Sequence, residues 1–172
     1  MPEIEHRRHS WRVPGAKHLT QQGVDLARRT GETMGRFDLV VTSDIPRAFE
    51  TAIAMGYAVD RQEEQLGKLG KGVEDEIDWE LGFAEFARAY GKGKATMLAC
   101  RIHAALLRSI AAKLPPDGRA LLVSHGGIIE AGVVGLLPDL DYSTWGASCE
   151  RCEGVRLHFN GDVCTGAEVL RL

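Results

Sequence analysis

The sequence predicts an α/β fold: a three-layer sandwich with a mostly parallel central sheet flanked by helices. Two observations carry that expectation. Leu39-Val40-Val41-Thr42-Ser43 and Leu121-Leu122-Val123-Ser124 are short apolar runs without polar alternation, as strands covered on both faces are. Amphipathic helical stretches separate them, and strand–helix alternation builds parallel sheets. A third observation sets the scale. At 172 residues the chain reads as one domain, residues 1–172, able to bury a full core without metal or disulfide staples.

The elements follow in order. The first strand candidate ends in Arg8-His9. It is unusually polar, Glu5-His6-Arg7-Arg8, and reads as an exposed or partnered sheet edge. A helix is predicted from Thr20, a capping residue, to about Gly35, with Val24, Leu26 and Ala27 among its apolar positions. A second runs from Pro46 to about Met55, because proline in a first turn costs no helical hydrogen bond. Residues 60–95 are rich in Gly, Lys and Glu. They read as a mobile, lid-like excursion over one end of the sheet, with a short helix around Leu81 to Tyr90.

Thr96 to Lys113 is the strongest helix. Met97, Leu98, Ile102, Ala105, Leu106 and Ile110 form its apolar stripe, and Pro115-Pro116 stop it. Gly127 to Leu137 is apolar nearly all round, so burial is expected. Val155 to Phe159 and Val163 to Leu170 flank Asn160-Gly161, a hairpin signal. That hairpin and the polar first strand are the surfaces where a partner would be sought; no oligomeric state is implied.

Composition excludes several classes. Hydrophobic residues are 44% and charged residues 26%, so disorder and coiled coil are disfavoured. A balance of 24 acids against 21 bases, −3 overall, argues against a generally basic nucleic-acid binder. No run approaches the roughly 20 apolar residues of a membrane span, and no apolar signal segment opens the chain. A cytoplasmic location is expected, with reduced cysteines. Cys149-x-x-Cys152, His158 and Cys164 lack the second close spacing of a zinc knuckle, and no metal or cofactor is expected.

Ligands of open α/β sheets bind at the carboxyl ends of strands. Arg8-His9, Ser43-Asp44 with Arg47 in the next helical turn, and Ser124-His125-Gly126-Gly127 all fall there. Two guanidiniums beside two imidazoles describe an anion site, since Arg forks match phosphate oxygens. Backbone N–H groups at Gly126-Gly127 would face the anion from a helix start. Among cations an imidazole stays neutral, with a lone pair free to attack phosphorus.

Four blocks carry a resemblance: Arg8-His9; Leu19-Thr20-x-x-Gly23; Ser43-Asp44-x-x-Arg47-Ala48-x-x-Thr51-Ala52; and Ser124-His125-Gly126-Gly127. In that order they resemble the histidine phosphatase superfamily, also called phosphoglycerate mutase-like. The resemblance implies a phosphoglycerate mutase-like sandwich. It implies that His9 becomes phosphohistidine, and that Arg8, Arg47 and His125 hold the phosphoryl group. It also implies an acid that protonates the leaving oxygen. Glu76, in Glu76-Ile77-Asp78-Trp79, is the first candidate and Glu74 the second. The chain departs from the family where Ser10 replaces the usual Gly. Ser10, Arg12, Gly126 and Glu74 are candidate substrate contacts, and His18 and Trp79 candidate specificity residues.

The expected function is a metal-independent phosphomonoester phosphatase working through phosphohistidine at His9, on a small phosphorylated substrate. Phosphatase is favoured over mutase because the family's mutases are longer and must exclude water. The alternatives are phosphoglycerate mutase-type transfer, a protein phosphohistidine phosphatase, and a non-catalytic phosphate-binding member of the fold.

Overall fold

The apolar runs stand side by side at the centre of one sheet. A computed structural model describes all 172 residues. Its strands are β1 (Glu3–Arg8), β2 (Leu39–Thr42), β3 (Arg61–Gln62), β4 (Arg119–Ser124), β5 (Gly154–Asn160) and β6 (Val163–Leu170). They lie in the order β3-β2-β4-β1-β5-β6. The first three neighbouring pairs are parallel, and β1–β5 and β5–β6 are antiparallel. The sheet is therefore mostly parallel, closed on one side by the terminal hairpin. β3, two residues long, has no readable signal in its polar surroundings.

The helices are α1 (Gln21–Gly31), α2 (Pro46–Ala54), α3 (Gly82–Gly91), α4 (Ala95–Ala111) and α5 (Ile128–Leu136). The Thr20 hydroxyl caps α1 by accepting the Gly23 N–H at 3.0 Å. Side chains alternate across each strand, which sorts them into two cores. Val40, Leu121 and Val123 pack with Ala27, Ala48 and Ala52 of α1 and α2. Val41, Ala120 and Leu122 pack with Phe86, Leu107 and Ile129 of α3, α4 and α5. Burying a Leu side chain completely contributes roughly 1.5–3 kcal/mol, and Leu121 and Leu122 are both fully buried. Every residue of α5 is buried, as its apolar surface requires.

The polar first strand is not an edge. β1 lies between β4 and β5, with Glu5, His6 and Arg7 all buried. Buried charge is tolerable when paired and hydrogen-bonded, and β1 meets that condition. Glu5 accepts Arg7 Nε at 2.8 Å and Arg156 Nη2 at 3.2 Å. Arg7 Nη1 donates to the Cys152 carbonyl at 2.9 Å. His6 Nε2 meets Ser124 Oγ at 2.6 Å. The strand has no free edge to offer a partner; β6 is the edge on that side.

The 60–95 segment is packed into the main core. Leu66, Val73, Ile77, Phe83, Phe86 and Ala89 all belong to it. Two 3₁₀ turns, Glu64–Gly67 and Trp79–Leu81, lead into α3. No helix is long and apolar enough to cross a membrane.

Candidate active site

Strand register brings the chemistry together. Arg8 of β1 pairs with Ser124 of β4, so the residues that follow, His9 and His125, leave the sheet side by side. Their ring centroids are 5.1 Å apart. Thr42 of β2 pairs with Val123, which sets Ser43 next to Ser124. Ser43 Oγ then meets His125 Nε2 at 2.8 Å. Proline at the start of α2 turns the chain sharply enough that Arg47 reaches back over His9.

The tautomer of His9 follows from its neighbours. Nδ1 lies 2.7 Å from the Ser10 carbonyl, which can only accept, so Nδ1 carries the proton. Nε2 is left as a lone pair, and Arg47 Nε donates to it at 3.1 Å. Burial lowers the His9 pKa to about 2, against the Ser10 hydrogen bond, with His125, Arg47 and Arg151 adding repulsion. Burial, then Arg47, Arg8 and Arg12, lowers that of His125 to about 3. Both imidazoles are therefore neutral at neutral pH. His125 Nδ1 is buried without a partner.

Four guanidiniums surround them. Arg8 Nη1 donates to the Cys149 carbonyl at 2.7 Å, and its Nε is buried and unpartnered. Arg12 donates to the Ala16 carbonyl at 3.2 Å, and its Nε is likewise orphaned. Arg47 and Arg151 complete the set. None of the four enters an ion pair with a carboxylate. Burial, then Arg12 and Arg8, lowers the Arg47 pKa. Cations crowded together without counter-charge form a receptor for an anion.

A cavity of about 510 Å³ opens beside Arg8, lined by Trp79, Glu80, Gly126, Gly127, Ser148 and Glu150. Glycine is required at its floor. A Cβ on Gly126 would sit 3.2 Å from Arg8 Cζ, and Gly127 has φ +87° with Trp79 Cζ3 2.8 Å from a Cβ position.

Several sequence expectations need correction. Glu76 is not at the cavity. Its carboxylate caps α4, accepting Ala95 N–H at 3.1 Å, Thr96 N–H at 2.9 Å and Thr96 Oγ at 2.6 Å. These bonds, the Thr96 hydroxyl first, lower its pKa and hold it ionised. Glu74 is exposed and does not line the cavity. Ser10 is fully buried, and its hydroxyl donates to the Gly23 carbonyl at 2.7 Å, away from any phosphate. The Gly127 N–H is committed to Glu130 Oε2 at 2.6 Å, so it does not face an anion. His18 is exposed and paired with Glu50. No three metal-ligating side chains gather, so Cys149, Cys152, Cys164 and His158 form no such group.

Sequence reasoning missed Glu80, Glu130 and Arg151. Glu80 lies inside the same acidic loop as Glu76, and only the path of that loop separates them. Glu130 sits on an apolar helix, where it carries no chemical motif. Arg151 lies in a polar turn far along the chain from His9.

The family model of the histidine phosphatase superfamily (branch 1) matches residues 5–168. The chain belongs to that superfamily. Membership supports phosphatase or phosphoryl-transfer chemistry at the His9 site. No curated protein sequence matches the chain. Among solved structures, it is similar to a phosphoserine phosphatase from Entamoeba histolytica in complex with 3-phosphoglyceric acid. Identity is 18%, the TM-score is 0.70, and 100% of this chain and 98% of that one are covered. A mycobacterial glucosyl-3-phosphoglycerate phosphatase matches at 19% identity and TM-score 0.60, over 97% of this chain and 96% of that one. A phosphoglycerate mutase from Bacillus anthracis str. Sterne matches at 17% identity and TM-score 0.65, over 95% of this chain and 90% of that one. These likenesses establish the shared fold. The histidine phosphatase fold of this chain thus spans nearly the full length of a protein named as a mutase. Length therefore does not separate phosphatase from mutase.

Proposed function

We propose that this histidine phosphatase is a phosphomonoester phosphatase acting through phosphohistidine at His9 Nε2. One observation carries the reading. His9 is neutral, its proton is fixed on Nδ1, and its Nε2 lone pair opens into a group of guanidiniums that lack counter-charge. In the first step Nε2 attacks phosphorus in line, and the bond from phosphorus to the leaving oxygen breaks. Arg8 and Arg47 neutralise charge on the equatorial oxygens. The leaving oxygen takes a proton from a carboxylic acid. In the second step water attacks phosphorus, the P–N bond breaks, and the water proton returns to that carboxylate. Phosphate leaves and His9 is neutral again.

Glu80 is assigned as the acid, because it lines the cavity beside Arg8 and Gly127 where Glu76 does not. Preference for phosphatase over mutase rests on this open cavity, which gives water access to the phosphohistidine.

A second reading is favoured by the removal of Glu76 to the α4 cap: a protein phosphohistidine phosphatase. Its imidazole leaving group needs no strong acid. The experiment compares His9→Ala and Glu80→Gln with wild type on an aryl phosphate, an alkyl phosphate and a phosphohistidine peptide. Expected results are loss of all turnover in His9→Ala, and a Glu80→Gln defect of about 10²–10⁴-fold confined to the alkyl ester. Turnover retained in His9→Ala refutes the nucleophile. Turnover of the peptide alone, indifferent to Glu80, selects the second reading.

A further inference from the structure

The phosphoryl group does not account for all the positive charge at this site. A phosphomonoester brings two negative charges, and Arg8 and Arg47, next to His9, are placed to meet them. Arg12 and Arg151 remain. Neither has a carboxylate partner, and both keep buried guanidinium nitrogens with no acceptor: Nε of Arg12, and Nε and Nη1 of Arg151. A buried donor without an acceptor costs roughly 1–3 kcal/mol, so such donors mark where an absent acceptor belongs.

The turn that carries Arg151 is pinned to the catalytic strand. Arg8 N–H donates to the Glu153 carbonyl at 2.8 Å, and Cys152 N–H donates to the Arg8 carbonyl at 3.1 Å. The Arg8 side chain closes the third link, on the Cys149 carbonyl. Cys152 takes φ +62° to make the bend. Residues 149–153 are thus fastened to Arg8 by three hydrogen bonds, with Arg151 at their centre. Its guanidinium stacks over the Trp11 ring, with Cζ 5.0 Å from the centroid. Stacking fixes the plane of the fork while leaving its edge free. Trp11 is itself held where α1 begins, its carbonyl accepting the Thr20 N–H at 3.0 Å. Repulsion from Arg8, Arg12 and Arg47 acts on Arg151, which locates it in the same cationic group.

We infer that Arg151, stacked on Trp11 and seconded by Arg12, forms a subsite for a second anionic group, so that the substrate is a small phosphomonoester whose organic part carries a carboxylate or another phosphate. The inference rests on the phosphatase reading and deepens it. Arg151 is a specificity residue here. It binds the tail of the substrate and leaves the reacting phosphorus to Arg8, Arg47 and His9.

The test uses three probes: 3-phosphoglycerate, fructose 1,6-bisphosphate, and glycerol 3-phosphate, whose tail is neutral. Each is assayed on wild type, Arg151→Ala and Arg151→Gln, with a thermal melt to verify folding. Wild type should favour one of the charged-tail probes by tenfold or more in kcat/KM. Arg151→Ala should shrink that ratio about ten- to hundredfold, mainly through KM, as expected for losing a charge-assisted contact. Arg151→Gln, which keeps the stem, should do the same. Which charged probe is favoured identifies the second anion. Equal losses on all three probes, or no wild-type preference, overturn the subsite and leave the phosphatase reading standing. If wild type hydrolyses none of them, the phosphatase reading falls and calorimetric binding decides the subsite. Tighter binding of a charged-tail probe than of glycerol 3-phosphate, lost in Arg151→Ala, sustains it; equal binding, or none, overturns it.

Discussion

Replacing Glu130 by Gln should damage stability and catalysis together. The carboxylate is fully buried between two chain segments. Oε2 accepts the Gly127 N–H at 2.6 Å, and Oε1 accepts the Cys149 N–H at 2.8 Å. The Cys149 carbonyl in turn receives Arg8 Nη1 at 2.7 Å. Glu130 therefore ties the start of α5 to the turn that orients Arg8. In Glu130→Gln one oxygen becomes an NH₂ group facing an N–H donor. One buried backbone N–H loses its acceptor, at a cost of about 1–3 kcal/mol. At about 2–4 °C per kcal/mol for a chain of this size, Tm should fall by about 2–12 °C. Arg8 would be held less firmly, and an ångström of displacement at a reacting centre can cost about 10²-fold in rate. Differential scanning calorimetry and aryl phosphate turnover, read well below the new Tm, provide the measurements. An unchanged Tm with unchanged kcat/KM would refute the reasoning, because two N–H groups would then need no carboxylate.

Three other outcomes follow from the same geometry. Glu76→Ala should lower Tm through loss of the α4 cap while leaving aryl phosphate turnover near wild type; a turnover collapse in folded protein would return Glu76 to the site. Gly135→Ala should destabilise by about 1–3 kcal/mol or more, because its Cβ would lie 2.0 Å from the Cys100 carbonyl oxygen where α5 crosses α4; a urea midpoint equal to wild type would contradict that close packing. Acid should destabilise the fold well before carboxylates titrate. Unfolded His binds a proton near 6.5, whereas His6, His9 and His125 resist until about 3, 2 and 3. Their contribution is complete above pH 6.5 and is lost as pH falls, at up to about 1.4 kcal/mol per pH unit for each. Urea melts from pH 7 to 4.5 should show the decline, and a flat profile would mean the rings are solvated.

The fold was legible wherever local pattern and tertiary burial agree. The helices of the central and C-terminal regions lie within a few residues of their apolar stripes and stop signals. The hairpin falls at Asn160-Gly161. The polar first strand misled, because its side chains alone point to water. Their burial depends on partners from distant elements: Arg119 and Arg156 for Glu5, Ser124 for His6, the Cys152 carbonyl for Arg7. The acidic run from Glu74 to Glu80 misled for a related reason. Four of its residues are Asp or Glu without periodicity, besides Glu76 itself, and only the path of the loop decides which carboxylate caps a helix and which lines a cavity.

The sequence by itself determined the family, the strand–helix alternation and the ingredients of the central site: Arg8, His9, Arg47 and His125. Those residues sit at strand-to-helix junctions, and junctions are local, so short motifs reveal them. Tertiary structure decided how each ingredient is held. Parallel register sets His9 beside His125, the Ser10 carbonyl fixes the His9 proton, and the turn at residues 149–153 delivers Arg151. The physical reason is range. Capping, periodicity and turn chemistry act over a few residues, whereas hydrogen bonding, desolvation and charge repulsion act through space between segments far apart along the chain.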